Sequence, residues 1–133
     1  MANEVFSFAV AKKKQMPTNL INHQGQQVVF IDYTACKTKE DLIDTLIDAE
    51  SFIKRMPGKS LTLSDFTGTH GSSEFMAEAK RAGRETFDHK VERAALIGIT
   101  GIKMILLNGY NLVVKNKIMS FDTRDKALGY LVS

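Results

Sequence analysis

The sequence predicts a single α/β domain with a mostly parallel sheet. Strand-like runs alternate with helix-like segments in the order ββαβαβαβα, which is typical of parallel strands joined by helical crossovers, with the first strand as an antiparallel edge. Several strand-like runs are continuously apolar, as expected for strands that are covered on both faces. The length of 133 residues suits one domain, and 44% hydrophobic with 25% charged residues is typical of a folded globular chain.

The first residues differ in character from the rest. They combine a weak apolar segment with three consecutive lysines, Lys12 to Lys14, so we expect an arm at 1–18 and an α/β domain at 19–133. The arm packs either on its own domain or on a second copy in a homodimer. Its apolar side chains are Val5, Phe6, Phe8 and Val10.

A hairpin and a long helix are predicted next. A short glycine-containing break separates two β-compatible runs, so residues 20–23 and 27–33 are expected to pair antiparallel. Thr38 is a preferred N-cap residue with Asp41 three positions later, and together they predict a helix that ends before the Pro-Gly pair at 57–58. Its predicted inward face consists of Leu42, Ile43, Leu46, Ile47, Ile53 and Met56.

Three further pairs of strand and helix follow. The predicted strands are 60–66, 94–99 and 117–121. The first of the three helices is capped by Ser72 or Ser73, the second begins after Gly101, and the last is capped by Asp122 or Thr123. The predicted inward residues are Phe75, Met76, Ala79, Ala82, Thr86 and Phe87 in the first helix, Ile102, Ile105, Leu106, Leu112 and Val113 in the second, and Ala127, Leu128 and Leu131 in the third.

Ligand-binding groups are expected at one edge of this sheet. In open α/β sheets, ligands collect beyond the carboxyl ends of the strands, where loops and helix N-termini meet. The loop at residues 65–73, called the polar loop below, is the most polar segment there and is the leading candidate site for a ligand or a partner. The candidate binding residues are Asp65, Thr67, Gly68, His70, Ser72, Ser73 and Gly101.

Each candidate also has a structural interpretation. Ser72 and Ser73 are helix-capping residue types in a capping position, and the Asp65 carboxylate either contacts a ligand or bonds loop amides. Cys36, at the same edge, is either a small half-buried hydrophobe or a nucleophile with a lowered pKa. A catalytic triad of His70 with Asp65 and Ser72 is disfavoured, because residues so close in sequence do not present the required geometry.

Several chemistries lack their sequence motifs. The chain has no Walker A motif, no dinucleotide-binding fingerprint, no His-Glu-x-x-His and no Cys-x-x-Cys, so no cofactor is expected. One cysteine and three histidines leave too few ligands for a structural zinc site, so no metal is expected. Basic and acidic residues alternate between Glu78 and Arg93, as on a solvated helix, so no nucleic acid partner is expected despite the net charge of +3.

The compartment follows from cysteine usage and hydropathy. A single cysteine cannot form an internal disulfide. The N-terminal residues lack the basic region of a secretory signal, have only a short apolar segment and carry their lysines after it. The longest apolar stretches, such as 94–99, are far shorter than the roughly 18 residues that span a bilayer. We therefore expect a cytoplasmic protein without a transmembrane segment.

Four segments carry a resemblance to a known family. Their sequences are VVFIDY at 28–33, LTLSD at 61–65, RAALIGITG at 93–101 and FDTRDKAL at 121–128. Together with the element order, they make residues from about 19 to 133 resemble the SpoIIAA-like proteins of the STAS type (sulfate transporter and anti-sigma-factor antagonist). The resemblance implies a SpoIIAA-like fold and a bacterial regulatory or interaction module without catalysis.

The resemblance also implies a modification site. In anti-sigma-factor antagonists, a serine at the start of the helix after the third strand is phosphorylated to switch partner binding. Ser72 and Ser73 match that place and are the candidate phosphoacceptors. The family's serine is commonly preceded by Asp and soon followed by Gly, whereas here Gly71 precedes the pair and Glu74 follows it.

Two functions remain as the main hypotheses, with an enzyme that uses Cys36 or the polar loop as a third. The first is a non-catalytic module that meets a protein partner through the loop and helix start at 65–76. The alternative is a carrier or sensor of a small apolar or lipid-like ligand, consistent with the comparison of some relatives with lipid-exchange domains of the Sec-fourteen type. The residues expected to cover such a ligand are Phe75, Met76, Ile102, Ile105 and Leu106. If no ligand binds there, the same residues form part of an ordinary hydrophobic core.

Overall fold

The computed structural model describes residues 17–133, which form a five-stranded sheet whose spatial order follows the chain order. The strands are β1 (Thr18–His23), β2 (Gln26–Asp32), β3 (Ser60–Asp65), β4 (Val91–Ile97) and β5 (Met119–Phe121). β1 pairs antiparallel with β2, and the three remaining pairs are parallel. The predicted antiparallel edge is therefore confirmed. Most of the predicted arm, including Val5, Phe6, Phe8 and Val10, lies outside the described residues.

Four helices connect and follow these strands. They are α1 (Lys39–Arg55), α2 (Ser73–Ala82), α3 (Ile102–Val113) and α4 (Arg124–Val132). α2 continues into a π-helical turn (Gly83–Phe87) and a final helical turn (Asp88–Lys90) before β4. The order ββαβαβαβα is confirmed. Within residues 17–133, each helix is too short or too polar to cross a bilayer.

Side-chain caps begin three of the helices. Thr38 and Asp41 form a reciprocal capping box at α1, as predicted. Of the alternatives left open at the other two, Ser72 caps α2 by accepting a hydrogen bond from the Phe75 amide, and Thr123 caps α4 by the same geometry.

The helices cover the sheet on both faces. α1, α2 and α3 pack on the face that presents Val29 and Ile31, and α4 packs on the opposite face, which presents Val28, Leu61 and Leu63. The predicted inward residues of α4 are all buried. This arrangement places the α1, α2 and α3 layer over the side chains of alternate residues in β2, β3 and β4.

The predicted inward faces of α1 and α3 are partly wrong. Ile47 of α1 is 43% exposed, because the buried face turns toward Ala49 and Glu50. In α3, Ile102, Ile105 and Leu112 are 69%, 68% and 87% exposed, Val113 is also exposed, and the buried residues are Leu107 and Tyr110. α3 carries apolar residues on every side, so its apolar spacing does not distinguish the inner face from the outer one.

The ends of all five strands differ from the prediction by one to three residues, as β4 and β5 illustrate. β4 begins at Val91 and ends at Ile97, where Gly98 adopts a φ of 82° that an extended strand cannot contain. β5 is limited to three residues at the edge of the sheet. Both differences leave the strand order unchanged.

A buried ion pair joins α1 to α2. Arg81 donates hydrogen bonds to both carboxylate oxygens of Glu50, at 2.8 and 3.2 Å, and Thr86 donates a third at 2.6 Å. Arg81 also reaches Glu78 and Glu85 at 3.2 Å, which agrees with the solvated, charge-paired surface predicted for this segment. Glu50 is 5% exposed, so these bonds satisfy a carboxylate inside the helical layer.

Candidate functional site

The loops that follow β2, β3 and β4 meet at the carboxyl edge of the sheet. Asp32 and Asp65, the last residues of β2 and β3, are register partners, so their loops begin side by side. Phe66 at the start of the polar loop donates its amide to the Ile97 carbonyl at the end of β4. The polar loop therefore lies between two neighbouring loops, at the edge where ligands are expected.

The loops after β2 and β3 begin with the same turn. Asp32 Oδ1 accepts hydrogen bonds from the amide of Thr34, at 2.8 Å, and from its hydroxyl. Asp65 Oδ1 accepts the equivalent bonds from the amide and hydroxyl of Thr67, at 2.9 and 2.7 Å. Both carboxylates therefore stabilise Asx turns.

The middle residues of these two turns form an aromatic cluster with α2. The rings of Tyr33 and Phe66 stack with centroids 4.1 Å apart, and Phe75 meets them edge-on at 5.8 and 5.9 Å. Burial raises the pKa of the Tyr33 phenol far above its usual range, so the ring stays neutral. Sequence reasoning did not identify Tyr33 or Phe66 as site residues, although the repeated Asp-aromatic-Thr triplet could have indicated them.

Ser72 and Ser73 have different environments. The Ser72 hydroxyl accepts the Phe75 amide at 3.0 Å, whereas Ser73 is exposed and donates to Glu74 Oε1 at 3.1 Å. Lys39 Nζ bonds Glu74 Oε2 at 2.8 Å and is the main reason why the pKa of Glu74 falls to about 2. Ser73 is thus the more accessible hydroxyl, and it lies beside an ionised carboxylate.

Asp65, His70 and Ser72 are not linked to one another by hydrogen bonds in the described part of the chain. The Asp65 carboxylate bonds Thr67, the Ser72 hydroxyl caps α2, and His70 is exposed. The same residues 17–133 contain no group of three or more His, Cys, Asp or Glu side chains arranged to hold a metal ion. Asp65 and Ser72 therefore stabilise the backbone of the polar loop and the start of α2.

Two glycines and a lysine also define that path. Gly68 has a φ of 77°, a left-handed conformation that glycine adopts without strain. Gly98 lies so close to the backbone of Thr67 that no β-carbon fits between them. Lys103 Nζ donates to the Phe66 carbonyl at 3.0 Å. The polar loop is therefore held in place by the neighbouring loop and by α3.

The N-terminus of α3 lies at the same edge. Gly101 is its N-cap residue, with a φ of 57° and no side chain to cap the helix, and its carbonyl accepts the Met104 amide at 3.0 Å. The first turn of α3 contains no acidic residue. Gly101 therefore shapes the backbone at the start of α3 and has no side chain that could contact a ligand.

Cys36 is half-buried in the loop after β2. Its Sγ lies 3.4 Å from Thr45 Oγ1 of α1. Burial raises the pKa of the thiol above its ordinary value, which lowers the fraction of the reactive thiolate at neutral pH. The structure therefore favours the small hydrophobe over the activated nucleophile.

A cavity of about 120 Å³ lies between the sheet and helices α1, α2 and α3. Its floor consists of Ile31, Thr62, Ser64, Ala94 and Leu96, and its walls include Leu42, Leu46, Phe75, Ala79, Leu107 and Tyr110. Thr69, His70 and Gly71 of the polar loop also line it, and His70 is exposed, so the cavity reaches the surface at this loop. The candidate site thus has a polar rim and a mainly apolar interior.

The cavity only partly matches the residues that we expected above an apolar ligand. Phe75, Met76 and Leu106 line it, as expected. Ile102 and Ile105 lie on the exposed side of α3 instead, because α3 is rotated relative to the prediction.

Comparison with known proteins identifies the fold. No protein-family model matches the chain, and no curated protein matches it. The chain is similar to the crystal structure of an uncharacterized protein from the DUF3478 family with a SpoIIAA-like fold, from Shewanella loihica PV-4. The TM-score is 0.59 at 18% sequence identity, over 86% of this chain and 91% of that chain. At this identity the similarity establishes the fold alone, and it confirms the SpoIIAA-like fold that the sequence predicted.

Proposed function

We propose that this SpoIIAA-like domain is a non-catalytic binding module that holds one small, mainly apolar molecule in the cavity. The observation that carries the proposal is the cavity itself, since protein interiors contain few voids larger than a water molecule. Residual cavities cost about 24 cal/mol per Å³ in mutant series. On that scale, a ligand that fills about 120 Å³ gains at most about 3 kcal/mol, and less where the cavity opens to solvent at the polar loop.

The cavity volume limits the size of the ligand. An engineered apolar cavity of about 150 Å³ in another protein binds benzene. A cavity of about 120 Å³ that opens at the polar loop therefore suits a molecule built on a single ring. A whole lipid is too large to be enclosed, so the carrier hypothesis is narrowed to a small molecule.

The contacts of the cavity connect the ligand to the predicted interaction surface. His70 and Gly71 border the cavity, and Ser72, the next residue, begins α2. A ligand that contacts these residues shares the polar loop with any partner bound outside. This arrangement supports a sensor role, in which occupancy alters the surface that a regulatory partner contacts.

Two substitutions on α2 test the proposal. Ala79 lines the cavity and Ala77 is exposed on the same helix, so Ala79→Leu fills the cavity whereas Ala77→Leu serves as the matched control. Toluene should bind the wild type and Ala77→Leu and raise their Tm, because a ligand that binds only the folded state stabilises it. Ala79→Leu should lose this response.

Native mass spectrometry of protein purified without denaturation provides an independent test. A discrete non-covalent adduct on the wild type that is absent from Ala79→Leu supports the proposal and gives the mass of the ligand. Equal toluene responses in wild type and Ala79→Leu, or no response of the wild type to toluene together with no adduct, contradict it.

A second candidate function is capture of a protein partner through residues 65–76. It is favoured by the exposure of Ser73 and Glu74 at the start of α2 and by the exposed apolar side chains of α3 that follow Gly101. The substitutions Ser73→Glu and Ile105→Glu, both at exposed positions outside the cavity, should then abolish partner capture without unfolding the domain. Capture that is unchanged in both variants contradicts this function. A covalent phosphate that appears in the native mass spectrum of the wild type and is lost in Ser72→Ala or Ser73→Ala would assign a phosphorylation switch to that serine.

A further inference from the structure

The central strand β3 alternates residues that carry hydroxyls with leucines. Leu61 and Leu63 pack on the α4 side, whereas Thr62 and Ser64 face the other helices and line the cavity. Such alternation is typical of a strand with one face in water, but helices cover both faces of this sheet. The hydroxyls therefore face the cavity between the sheet and the helices.

The flanking strands place apolar residues beside these hydroxyls. Ser64 lies in register between Ile31 and Leu96, and Thr62 likewise lies between apolar partners. Thr62 and Ser64 are 6% and 8% exposed. Their hydroxyls make no hydrogen bond with another residue in the range 17–133, and they border the cavity instead of being sealed among packed atoms. Hydroxyls that face a cavity without a protein partner are available to bond a polar group there, so a ligand that carries such a group is favoured over a purely apolar one.

Charge narrows the chemistry of that group. Of the described residues that line the cavity, only Lys103 and His70 carry ionisable side chains of the Lys, Arg, His, Asp or Glu types, and both lie at the carboxyl edge. Lys103 already donates to the Phe66 carbonyl. An ion bound over the middle of β3 would lack a counter-charge, which strongly disfavours it in an apolar cavity.

We infer that Thr62 and Ser64 select a ligand with a neutral hydroxyl or carbonyl group on a small apolar body, of the size of phenol. This inference rests on the proposed function and names the ligand class. The polar atom of the ligand bonds the two hydroxyls on β3, and its apolar part lies against the side chains of α1 and α2.

The test compares toluene, phenol and benzoate, which share one ring and differ in the attached group. In the variant Thr62→Val/Ser64→Ala, the Kd for phenol should rise about 25-fold while the Kd for toluene stays the same or falls, since each of the two lost hydrogen bonds changes affinity by about fivefold. Ser64→Ala alone should give a smaller rise. Ser60→Ala is the matched control, because Ser60 is a buried hydroxyl residue of the same strand that does not line the cavity.

The outcomes separate this inference from the proposed function. If the wild type binds neither toluene nor phenol, the proposed function fails. If toluene binds and the ratio of the Kd for phenol to the Kd for toluene is the same in the wild type and the variants, the cavity is a binding site but the two hydroxyls do not select the ligand. Benzoate bound more tightly than phenol would overturn the neutral assignment and move the polar group to Lys103.

Discussion

Replacing Arg81 by methionine should destabilise the domain by about 2–3 kcal/mol at pH 7. The substitution leaves Glu50, which is 5% exposed, with the Thr86 hydroxyl and with Lys54 Nζ at 3.9 Å. Breaking a fully buried ion pair by removing one partner costs about 3–5 kcal/mol. The Arg81 side chain is 31% exposed, so water screens part of the interaction and we expect a loss at or below the lower end of that range.

The destabilisation should depend on pH with a definite sign. The hydrogen bonds from Arg81 hold the pKa of Glu50 below its usual value, so the pair stabilises the wild type above the unfolded pKa of about 4.3 and loses this effect as the pH falls through the lower folded pKa. Without Arg81, burial is opposed only by the Thr86 hydrogen bond and by Lys54, so the pKa of Glu50 lies above its value in the wild type. Protonation of Glu50 then costs the variant less stability than it costs the wild type, so the difference between the two proteins shrinks as the pH falls.

Urea unfolding at pH 7 and at pH 4.5 measures both effects. The matched control is Arg84→Met, which removes an exposed arginine one helical turn away and should change the free energy of unfolding by about 0.5 kcal/mol or less. An Arg81→Met loss no larger than that of the control contradicts a stabilising role for the Glu50–Arg81 pair. So does a difference that grows as the pH falls.

Three further predictions concern the polar loop and its surroundings. Gly98→Ala should lower the free energy of unfolding by at least about 2 kcal/mol more than Gly58→Ala, because both glycines have positive φ but only Gly98 lies against backbone atoms. Equal losses in urea unfolding would contradict the close packing of Gly98. Ser72→Ala should lower the free energy of unfolding by about 1 kcal/mol and Ser73→Ala by much less, since only Ser72 caps α2. A larger loss for Ser73→Ala would overturn the assignment of Ser72 as the cap. Cys36 should react with iodoacetamide at pH 8 more slowly than free cysteine, because burial raises its pKa, and a faster reaction would restore the nucleophile hypothesis.

Local chemistry explains which parts of the fold were predictable. The cap at Thr38 depends on two residues three positions apart, and the β1–β2 hairpin depends on a break that contains Gly25, so both could be predicted from short segments. The position of the polar loop follows from strand order alone, since the carboxyl ends of parallel strands share one edge.

The remaining features depend on packing between elements. Apolar residues surround α3, so only its contact with the sheet shows that Leu107 and Tyr110 face inward while Ile105 faces outward. In the sequence, a glutamate such as Glu50 is expected at the surface. Only the packing of α1 against α2, which places Arg81 beside Glu50, accounts for its burial. The cavity could not be predicted, because its volume depends on how the side chains of three helices and three strands fit together.

The strand order also has a consequence for folding during synthesis. Each strand pairs only with its neighbours in the chain, so the sheet can grow one strand at a time as the polypeptide leaves the ribosome. The floor of the cavity is complete once β4 has emerged, whereas α3, which closes one wall, is made afterwards. Until α3 has been made, the chain therefore lacks one wall of the cavity, so the proposed ligand site is completed only in the last part of synthesis.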